Sequence, residues 1–99
     1  INMIDPIAVS NILGDEVGKE VTVKFLKDNG EERTYTGLIN SKDGLKNNER
    51  GKTTTEMFEK HGIVPLKTID GYKSFKVNRV LAMKTSDRHI YCMGSHIED

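Results

Sequence analysis

Apolar and polar residues alternate over several short stretches of this 99-residue chain. Between residues 19 and 26, Val21, Val23 and Phe25 alternate with polar side chains, which is typical of a strand with one buried face. Related patterns predict further strands over residues 32–39, 63–69, 72–77, 80–84 and 89–93. The sequence therefore predicts a mainly β protein with five or six short strands.

Turn signals predict how these strands are joined. Residues 28–30 (Asp-Asn-Gly) and 70–71 (Asp-Gly) favour tight hairpin turns, because Asn and Gly tolerate positive φ. Pro65 has no backbone N–H, so the third strand is expected to lie at an edge or a bulge. Gly37 predicts a bulge or a bend in the second strand, as in a strongly curved sheet.

Two short helices are predicted outside the strands. Asp5 is a good N-cap and Pro6 suits the first helical position, so a helix is expected to begin there and to end at Gly14. Residues 40–53 are polar and without periodicity, which predicts a long loop. Thr53 and Glu56 have the spacing of a capping box, which predicts a short helix over residues 54–61.

Closing the strands into a barrel would remove exposed edges, which suits a chain of this size. We therefore predict a small barrel of five or six antiparallel strands, with a short N-terminal helix and a long loop that carries a short helix. The chain is expected to form a single domain over residues 1–99, with its core between residues 5 and 93 and no functional role for either end.

Charge is balanced overall but uneven along the chain. Fifteen basic and fifteen acidic residues give a net charge of zero. Residues 1–32 contain seven acidic and three basic side chains, whereas residues 60–91 contain seven basic and two acidic ones. A neutral protein does not bind nucleic acid by bulk charge, but a polarised one can do so locally. Alternatively, strands from the two regions interleave and their charges mix.

Compartment and membrane signals favour the cytoplasm. The single cysteine, Cys92, excludes an internal disulfide and fits a reducing compartment. No apolar run approaches the roughly 20 residues that a membrane span needs, and no charged start leads into an apolar stretch. A cytoplasmic location without a membrane partner is therefore expected.

Catalytic and metal-binding motifs lack their usual surroundings. His89, Cys92 and His96 are three zinc-type ligands, but a strand over residues 89–93 would point His89 and Cys92 to opposite faces. Residues 51–53 (Gly-Lys-Thr) lack the earlier glycine of a phosphate-binding loop. No nucleophile elbow surrounds any serine. The sequence therefore predicts a non-enzymatic protein without a metal site or a cofactor.

Residues 72–80 read Tyr-Lys-Ser-Phe-Lys-Val-Asn-Arg-Val, and this segment resembles the end of WYL-type domains, which have an SH3-like barrel fold. Over residues 19–85 the chain is also similar to small barrel proteins of large tailed bacteriophages, in which a strand such as residues 21–25 leads through an acidic-Gly turn into Glu-Arg. The Trp-Tyr-Leu triplet of the WYL family is absent. The resemblance implies an SH3-like barrel and, for a phage-encoded protein, the host cytoplasm.

The same resemblance implies binding of nucleic acid or nucleotide-like ligands through basic residues, and Lys76 and Arg79 match these by position. The strand pattern is compatible with this role, because Phe75 and Val77 point to one side and Tyr72 and Lys76 to the other. An exposed aromatic beside a cation suits base stacking with a phosphate contact. Alternatively, the segment is an ordinary hairpin in which Tyr72 covers the barrel end.

These observations lead to the hypothesis of a regulatory binding module that contacts nucleic acid through a local basic face. The predicted contact residues are Tyr72, Lys73, Lys76, Arg79 and Lys84, together with the loop cations Lys42, Lys46, Arg50 and Lys52. The alternative is a protein–protein adaptor or inhibitor that docks on a host protein, with Met57 and Phe58 as apolar anchors. Those two side chains would otherwise pack the predicted helix on the barrel.

Overall fold

The computed structural model describes residues 3–39 and 62–92. The elements in these two ranges are α1 (Pro6–Asp15), β1 (Glu20–Leu26), β2 (Glu32–Leu38), β3 (Ile63–Thr68), β4 (Gly71–Lys76), a 3₁₀ helix (Val77–Arg79), β5 (Val80–Lys84) and β6 (Ile90–Cys92). The predicted loop 40–53, the predicted helix 54–61 and both chain ends lie outside them. Within these ranges, no helix is long and apolar enough to cross a membrane.

The six strands form one antiparallel sheet in the order β4-β3-β2-β1-β5-β6. β1 is central and pairs with β2 on one side and with β5 on the other. The prediction of a mainly β protein with antiparallel strands and a short N-terminal helix is confirmed. Among the described strands, β4 and β6 are not paired with each other, so the sheet is open where a closed barrel was predicted.

Glycines with positive φ shape both hairpins, as the turn signals predicted. Gly30 has a φ of 87° and donates its N–H to the carbonyl of Lys27 at 2.9 Å in the β1–β2 turn. Gly71 has a φ of 109° and follows the two turn residues, Ile69 and Asp70, that join β3 to β4. A side chain at either glycine would be strained in this left-handed region.

The start of α1 is capped by its neighbouring residues. The side chain of Asp5 accepts a hydrogen bond from the N–H of Ile7 at 3.0 Å, and Pro6 occupies the first turn. Val9 and Leu13 are fully buried in the core. The helix therefore covers the core through a side chain in each of its later turns.

The end of α1 differs from the prediction. Gly14 lies within the helix, which ends at Asp15, and Glu16 donates its N–H to the carbonyl of Leu13 at 3.0 Å. The glycine that reverses the chain is Gly18, with a φ of 86°. Gly14 does not adopt positive φ, so it gives no reason for the helix to stop there.

The sheet curls so that distant strands meet around the core. In the sheet order, β1 and β4 are separated by β2 and β3, which would place them about 14 Å apart if the sheet were flat. The rings of Phe25 in β1 and Phe75 in β4 nevertheless lie 5.8 Å apart, and Tyr35 lies 5.3 Å from Phe25. The sheet is therefore bent back on itself, with an aromatic cluster between its two halves.

Gly37 allows the closest approach of two strands. A Cβ atom at this position would overlap the backbone carbonyl of Lys67 in β3. The β1–β2 register continues through Gly37 without a shift, so the residue marks a bend and not a bulge. Of the two alternatives predicted from the sequence, the structure therefore supports the bend.

The bulge lies elsewhere, in β5. β1 pairs Lys24 with Ala82 and then Phe25 with Val80, so Leu81 is the extra residue in the register. Such a bulge bends its strand and increases the local twist. It therefore contributes to the curl that brings the two halves of the sheet together.

The sheet divides beyond Gly37. All seven residues of β2 pair with β1, but β2 pairs with β3 only through Gly37 with Thr68 and Leu38 with Lys67. Among the described residues, the rest of β3 pairs with β4 alone. Pro65 lies in that part of β3, so its strand is internal to the sheet and not at the predicted edge; the β2–β3 register would place it opposite residue 40, which lies outside the described residues.

Candidate binding surfaces

The β3–β4 hairpin has one face toward the core and one toward solvent. Val64, Leu66 and Phe75 are buried, which identifies the core face. Lys67 and Tyr72 are cross-strand partners on the other face, called here the outer face. The prediction that Phe75 is a core residue is confirmed, and so is the burial of Val77, although Val77 belongs to the 3₁₀ helix.

Tyr72 is the most exposed ring of this hairpin, at 64%. Its cross-strand partner Lys67 is also exposed, and side chains that face each other in this way are close enough to act together. Of the three lysines in β3 and β4, Lys67 and Lys76 lie on the outer face, and the two strands contain no carboxylate, since Asp70 lies in the turn between them. The outer face of the hairpin is therefore aromatic and locally basic.

Lys73 does not share that face. It pairs with Leu66, whose side chain is buried, so its side chain lies on the same face of the hairpin as the core residues. Its own side chain remains exposed. The predicted contacts Tyr72 and Lys73 are therefore on opposite faces of one strand.

Lys76 is placed beside a carboxylate from the β1–β2 turn. The ammonium group of Lys76 donates a hydrogen bond to Asp28 at 3.1 Å. This hydrogen bond and the charge of Lys76 lower the pKa of Asp28 below its usual value of 3.8, with a smaller contribution from Arg79. Part of the positive charge predicted for the site is thus neutralised.

The remaining predicted residues do not join this group in the described structure. Lys84 lies on β5 opposite Thr22, and β3, β2 and β1 separate its strand from β4 in the sheet order. The four loop cations lie outside the described residues; they are Lys42, Lys46, Arg50 and Lys52. The structure thus pairs Lys76 with Asp28, and places Tyr72 beside a cation that the sequence did not single out, Lys67.

A groove lies where the two halves of the sheet separate, and we call it the seam groove. Its volume is about 210 Å³, and its lining includes Phe25, Tyr35, Phe75 and Ile63. Phe25 and Phe75 are almost fully buried, Tyr35 is half-buried, and Ile63 is 47% exposed. Their arrangement gives the groove an apolar floor that is open to solvent along one side.

Charged side chains line the rim of the seam groove. Lys27, Asp28 and Lys76 all contribute to its lining. Asp28 and Lys76 form the ion pair described above, whereas Lys27 forms no ion pair with another residue of the two described ranges. The rim therefore offers a cation to a ligand.

A second cavity of about 200 Å³ lies between α1 and the β5–β6 turn, and its lining includes Asp15, Glu16 and Asp87. The buried carboxylate of Glu16 accepts a hydrogen bond from the N–H of Ser86 at 3.3 Å and lies 3.5 Å from the ammonium of Lys19. These contacts fix the β5–β6 turn to the end of α1. The carboxylate of Glu16 is thereby occupied by structural partners.

The residues considered for zinc are only partly described. The imidazole of His89 lies 3.5 Å from Asp87 and packs edge-on against the ring of Tyr91 at 6.3 Å. The hydroxyl of Thr85 donates a hydrogen bond to Asp87, which lowers the pKa of that carboxyl. The side chain of Cys92 and all of His96 fall outside the described residues, and the described ones contain no cluster of three metal-ligating side chains.

Sequence reasoning did not find the seam groove. Lys27, Tyr35 and Ile63 come from three separate elements, and no motif links them. No family model matches the chain, and comparisons with curated proteins and with solved structures gave no match either.

Proposed function

We propose that this protein is a non-catalytic binding module built on an SH3-like small barrel, with a regulatory role, and that it binds nucleic acid through a local basic face. Support for the barrel type comes from the curled sheet, in which β1 to β4 follow each other and β5 returns to β1 after a single 3₁₀ turn. The resemblance of residues 72–80 to WYL-type domains and to barrel proteins of tailed phages favours a phage-encoded protein acting in a host cytoplasm.

The observation that carries the proposal is the position of Tyr72 beside Lys67 on the outer face. A base stacked on an exposed aromatic ring contributes about 1–3 kcal/mol, whatever its identity. Lys67 is the cross-strand partner of Tyr72 and can reach a phosphate next to a base stacked there. The pair suits a single strand, because only unpaired bases are free to stack in this way.

Charge balance distinguishes the lysines of the proposed site. Lys76 is hydrogen-bonded to Asp28, and Arg79 is close enough to influence the same carboxyl. Lys67 and Lys73 are exposed and distant in sequence from any carboxylate except Asp70 in the turn. We therefore expect Lys67 to contribute more phosphate affinity than Lys76, although only Lys76 was predicted from the sequence.

The test is binding of a fluorescently labelled oligothymidylate by anisotropy at two salt concentrations. With about three phosphate contacts, a fourfold increase in salt should weaken binding roughly tenfold to twentyfold. Tyr72→Ala should weaken binding about tenfold or more through lost stacking. Lys67→Ala should also weaken binding, and should reduce its salt dependence.

Arg88→Asn is the matched control. Arg88 is an exposed cation in the β5–β6 turn with a φ of 68°, a conformation that asparagine tolerates. The variant loses one positive charge, as Lys67→Ala does, but away from the β3–β4 hairpin. Equal losses of affinity in Lys67→Ala and Arg88→Asn would contradict the proposal. So would binding that changes neither with salt nor in Tyr72→Ala.

The protein-docking alternative has an observation of its own, the seam groove. Its predicted apolar anchors, Met57 and Phe58, lie outside the described residues. The groove instead offers Tyr35 and Ile63 as partly exposed apolar side chains beside a cationic rim. A docking role through the groove would be unaffected by Tyr72→Ala, which separates the two alternatives.

A further inference from the structure

The direction of the backbone groups in β2 follows from its pairing with β1. Lys27 donates its N–H to the carbonyl of Glu31 at 2.8 Å, so these two residues begin the hydrogen-bonded ladder. Because antiparallel pairs alternate between bonded and non-bonded, Arg33 and Tyr35 direct their backbone groups toward β1. The residues between them direct theirs away from β1.

Three residues of β2 therefore present their N–H and C=O groups on the side of β3. They are Glu32, Thr34 and Thr36. Within the described ranges the β2–β3 pairing begins only at Gly37, so no strand meets these groups. We call the backbone of residues 32–36 on this side the β2 edge.

The β2 edge faces solvent. Of residues 32–36, four are exposed and Tyr35 is half-buried. Proteins usually protect such an edge, because a row of unpaired backbone groups is a template for another strand. This edge carries neither a proline nor a bulge.

The β2 edge extends past the end of β3. Continuing the β2–β3 register, Thr36 would lie opposite Ile69 and Tyr35 opposite Asp70, which are the two residues of the β3–β4 turn. β3 therefore offers no regular ladder beside residues 32–36. A strand that binds there would form its ladder with β2 and not with β3.

The seam groove can receive one side chain of such a strand. Tyr35 belongs to both the groove lining and the strand that forms the β2 edge, so the two features are adjacent. A closed cavity of 150 Å³ is enough for benzene, and the groove measures about 210 Å³. An aliphatic or aromatic side chain would cover the exposed parts of Tyr35 and Ile63.

The charge of the rim selects the neighbouring side chain. Alternate residues of a strand share a face, so the residue two positions from the buried one points the same way. On that face lie Lys27, without an ion-pair partner in the described ranges, and the exposed Arg33, which is 4.0 Å from Glu31. A carboxylate at that position would be matched by positive charge.

We propose that the β2 edge binds an extended peptide segment of a partner protein, which adds as a strand and carries an apolar residue followed two positions later by Asp or Glu. Main-chain hydrogen bonds would provide affinity, and the groove with its rim would provide specificity. This site is separate from the outer face with Tyr72 and Lys67, so it does not depend on nucleic-acid binding.

The test uses a capped peptide of seven residues, threonine throughout except for leucine at its third and aspartate at its fifth position. Titration into ¹⁵N-labelled protein should shift the backbone amides of Thr34 and Thr36 most strongly. Thr34→Pro should weaken binding at least tenfold, because it removes an N–H donor from the β2 edge. Its fold should persist, since that N–H does not bond to β1 and edge positions tolerate proline.

Lys27→Glu provides a second variant that leaves the backbone unchanged. It should weaken binding of the aspartate peptide several-fold and strengthen binding of a peptide with lysine at that position. This exchange of preference requires contact with the rim, and altered stability alone would not produce it. If Thr34→Pro fails to fold, the charge exchange still decides the question.

Several outcomes would overturn the inference. They are an absence of amide shifts at millimolar peptide, equal binding to the Thr34→Pro variant, and shifts concentrated at Tyr72 and Lys67. If the Thr34 and Thr36 amide signals broaden with protein concentration in the absence of peptide, the β2 edge binds a second copy of this chain and not a partner protein. Oligothymidylate moving the same amides would assign the groove to nucleic acid.

Discussion

At the scale of single residues, Gly37 and Asp28 have the largest consequences for the candidate sites. Gly37 lets β3 contact β2 at one point, beyond which the two strands separate and leave the groove. Asp28 holds Lys76 across that separation at 3.1 Å. The two residues thus fix the two ends of the gap between the hairpins.

Gly37→Ala should destabilise the fold. The added methyl group would overlap the backbone oxygen of Lys67. Strand pairing holds that oxygen in place, so moving it would break backbone hydrogen bonds. We expect a loss of about 1–3 kcal/mol in the free energy of unfolding, measured by urea denaturation. Gly14→Ala is the control, because that helical position has open space and should gain slightly from alanine. Equal stability of wild type and Gly37→Ala would show that the strands are not in close contact.

Asp28→Asn should change how stability depends on acidity. Lys76 lowers the pKa of Asp28 below 3.8 in the folded protein. The pair therefore stabilises the fold above that pH, and its contribution is lost as pH falls through the lowered pKa. The variant should be slightly less stable than wild type at neutral pH, and the difference should shrink as the pH falls below 3.8 and through the lowered pKa.

The effect is expected to be small, because the pair is largely exposed. Unfolding curves of both proteins across the acidic range would measure it. Asp70→Asn is the control, since Asp70 lies in the β3–β4 turn and forms no ion pair with the described residues. A difference from wild type that stays constant with pH would exclude the Lys76 contact.

At the scale of elements, local patterns predicted the strands well and their neighbours poorly. Period-two alternation, Gly at the turns and the N-cap at Asp5 are all encoded within a few residues, and the corresponding strands, hairpins and helix start were predicted. The pairing of β1 with β5 joins segments far apart in sequence, and no local signal indicates it. The short pairing of β2 with β3, through Gly37 and Leu38, also depends on three-dimensional approach, and no local signal indicates it.

The candidate site shows the same limit. Tyr72, Lys76 and Arg79 were predicted because they share one short segment. Lys67 and Lys27 were not, because their relevance depends on which strand they face. Sequence therefore indicated the edge strand, but not the surfaces that it forms with its neighbours.

Loss of the N-cap should weaken the contact between α1 and the sheet. Asp5 accepts a hydrogen bond from Ile7, while Ile4 donates its N–H to Val80 of β5 at 2.9 Å. Asp5→Ala should cost about 1 kcal/mol of stability, whereas Asp5→Asn, which keeps an acceptor, should cost much less. Thermal denaturation of both variants measures this, and identical melting temperatures would show that the cap contributes nothing.

At the scale of the whole molecule, the fold partly mixes the charges that the sequence separates. The acidic N-terminal region provides the central strand β1 and the start of β2, and the basic region provides the strands on both sides of this pair. Ion pairs such as Lys24 with Glu32 and Lys76 with Asp28 neutralise some of the charge. The outer face of the β3–β4 hairpin retains its positive charge, which keeps local binding of nucleic acid compatible with a net charge of zero.

Within the described ranges, β2 extends past its pairing with β3 and leaves the β2 edge unpaired beside the groove. Amide hydrogen exchange of the unmodified protein tests this arrangement most directly, because exchange reports the hydrogen bond of each N–H. We expect protected amides at Arg33 and Tyr35, and exchange at least about a hundredfold faster at Thr34. Equal protection of Thr34 and Tyr35 would contradict it.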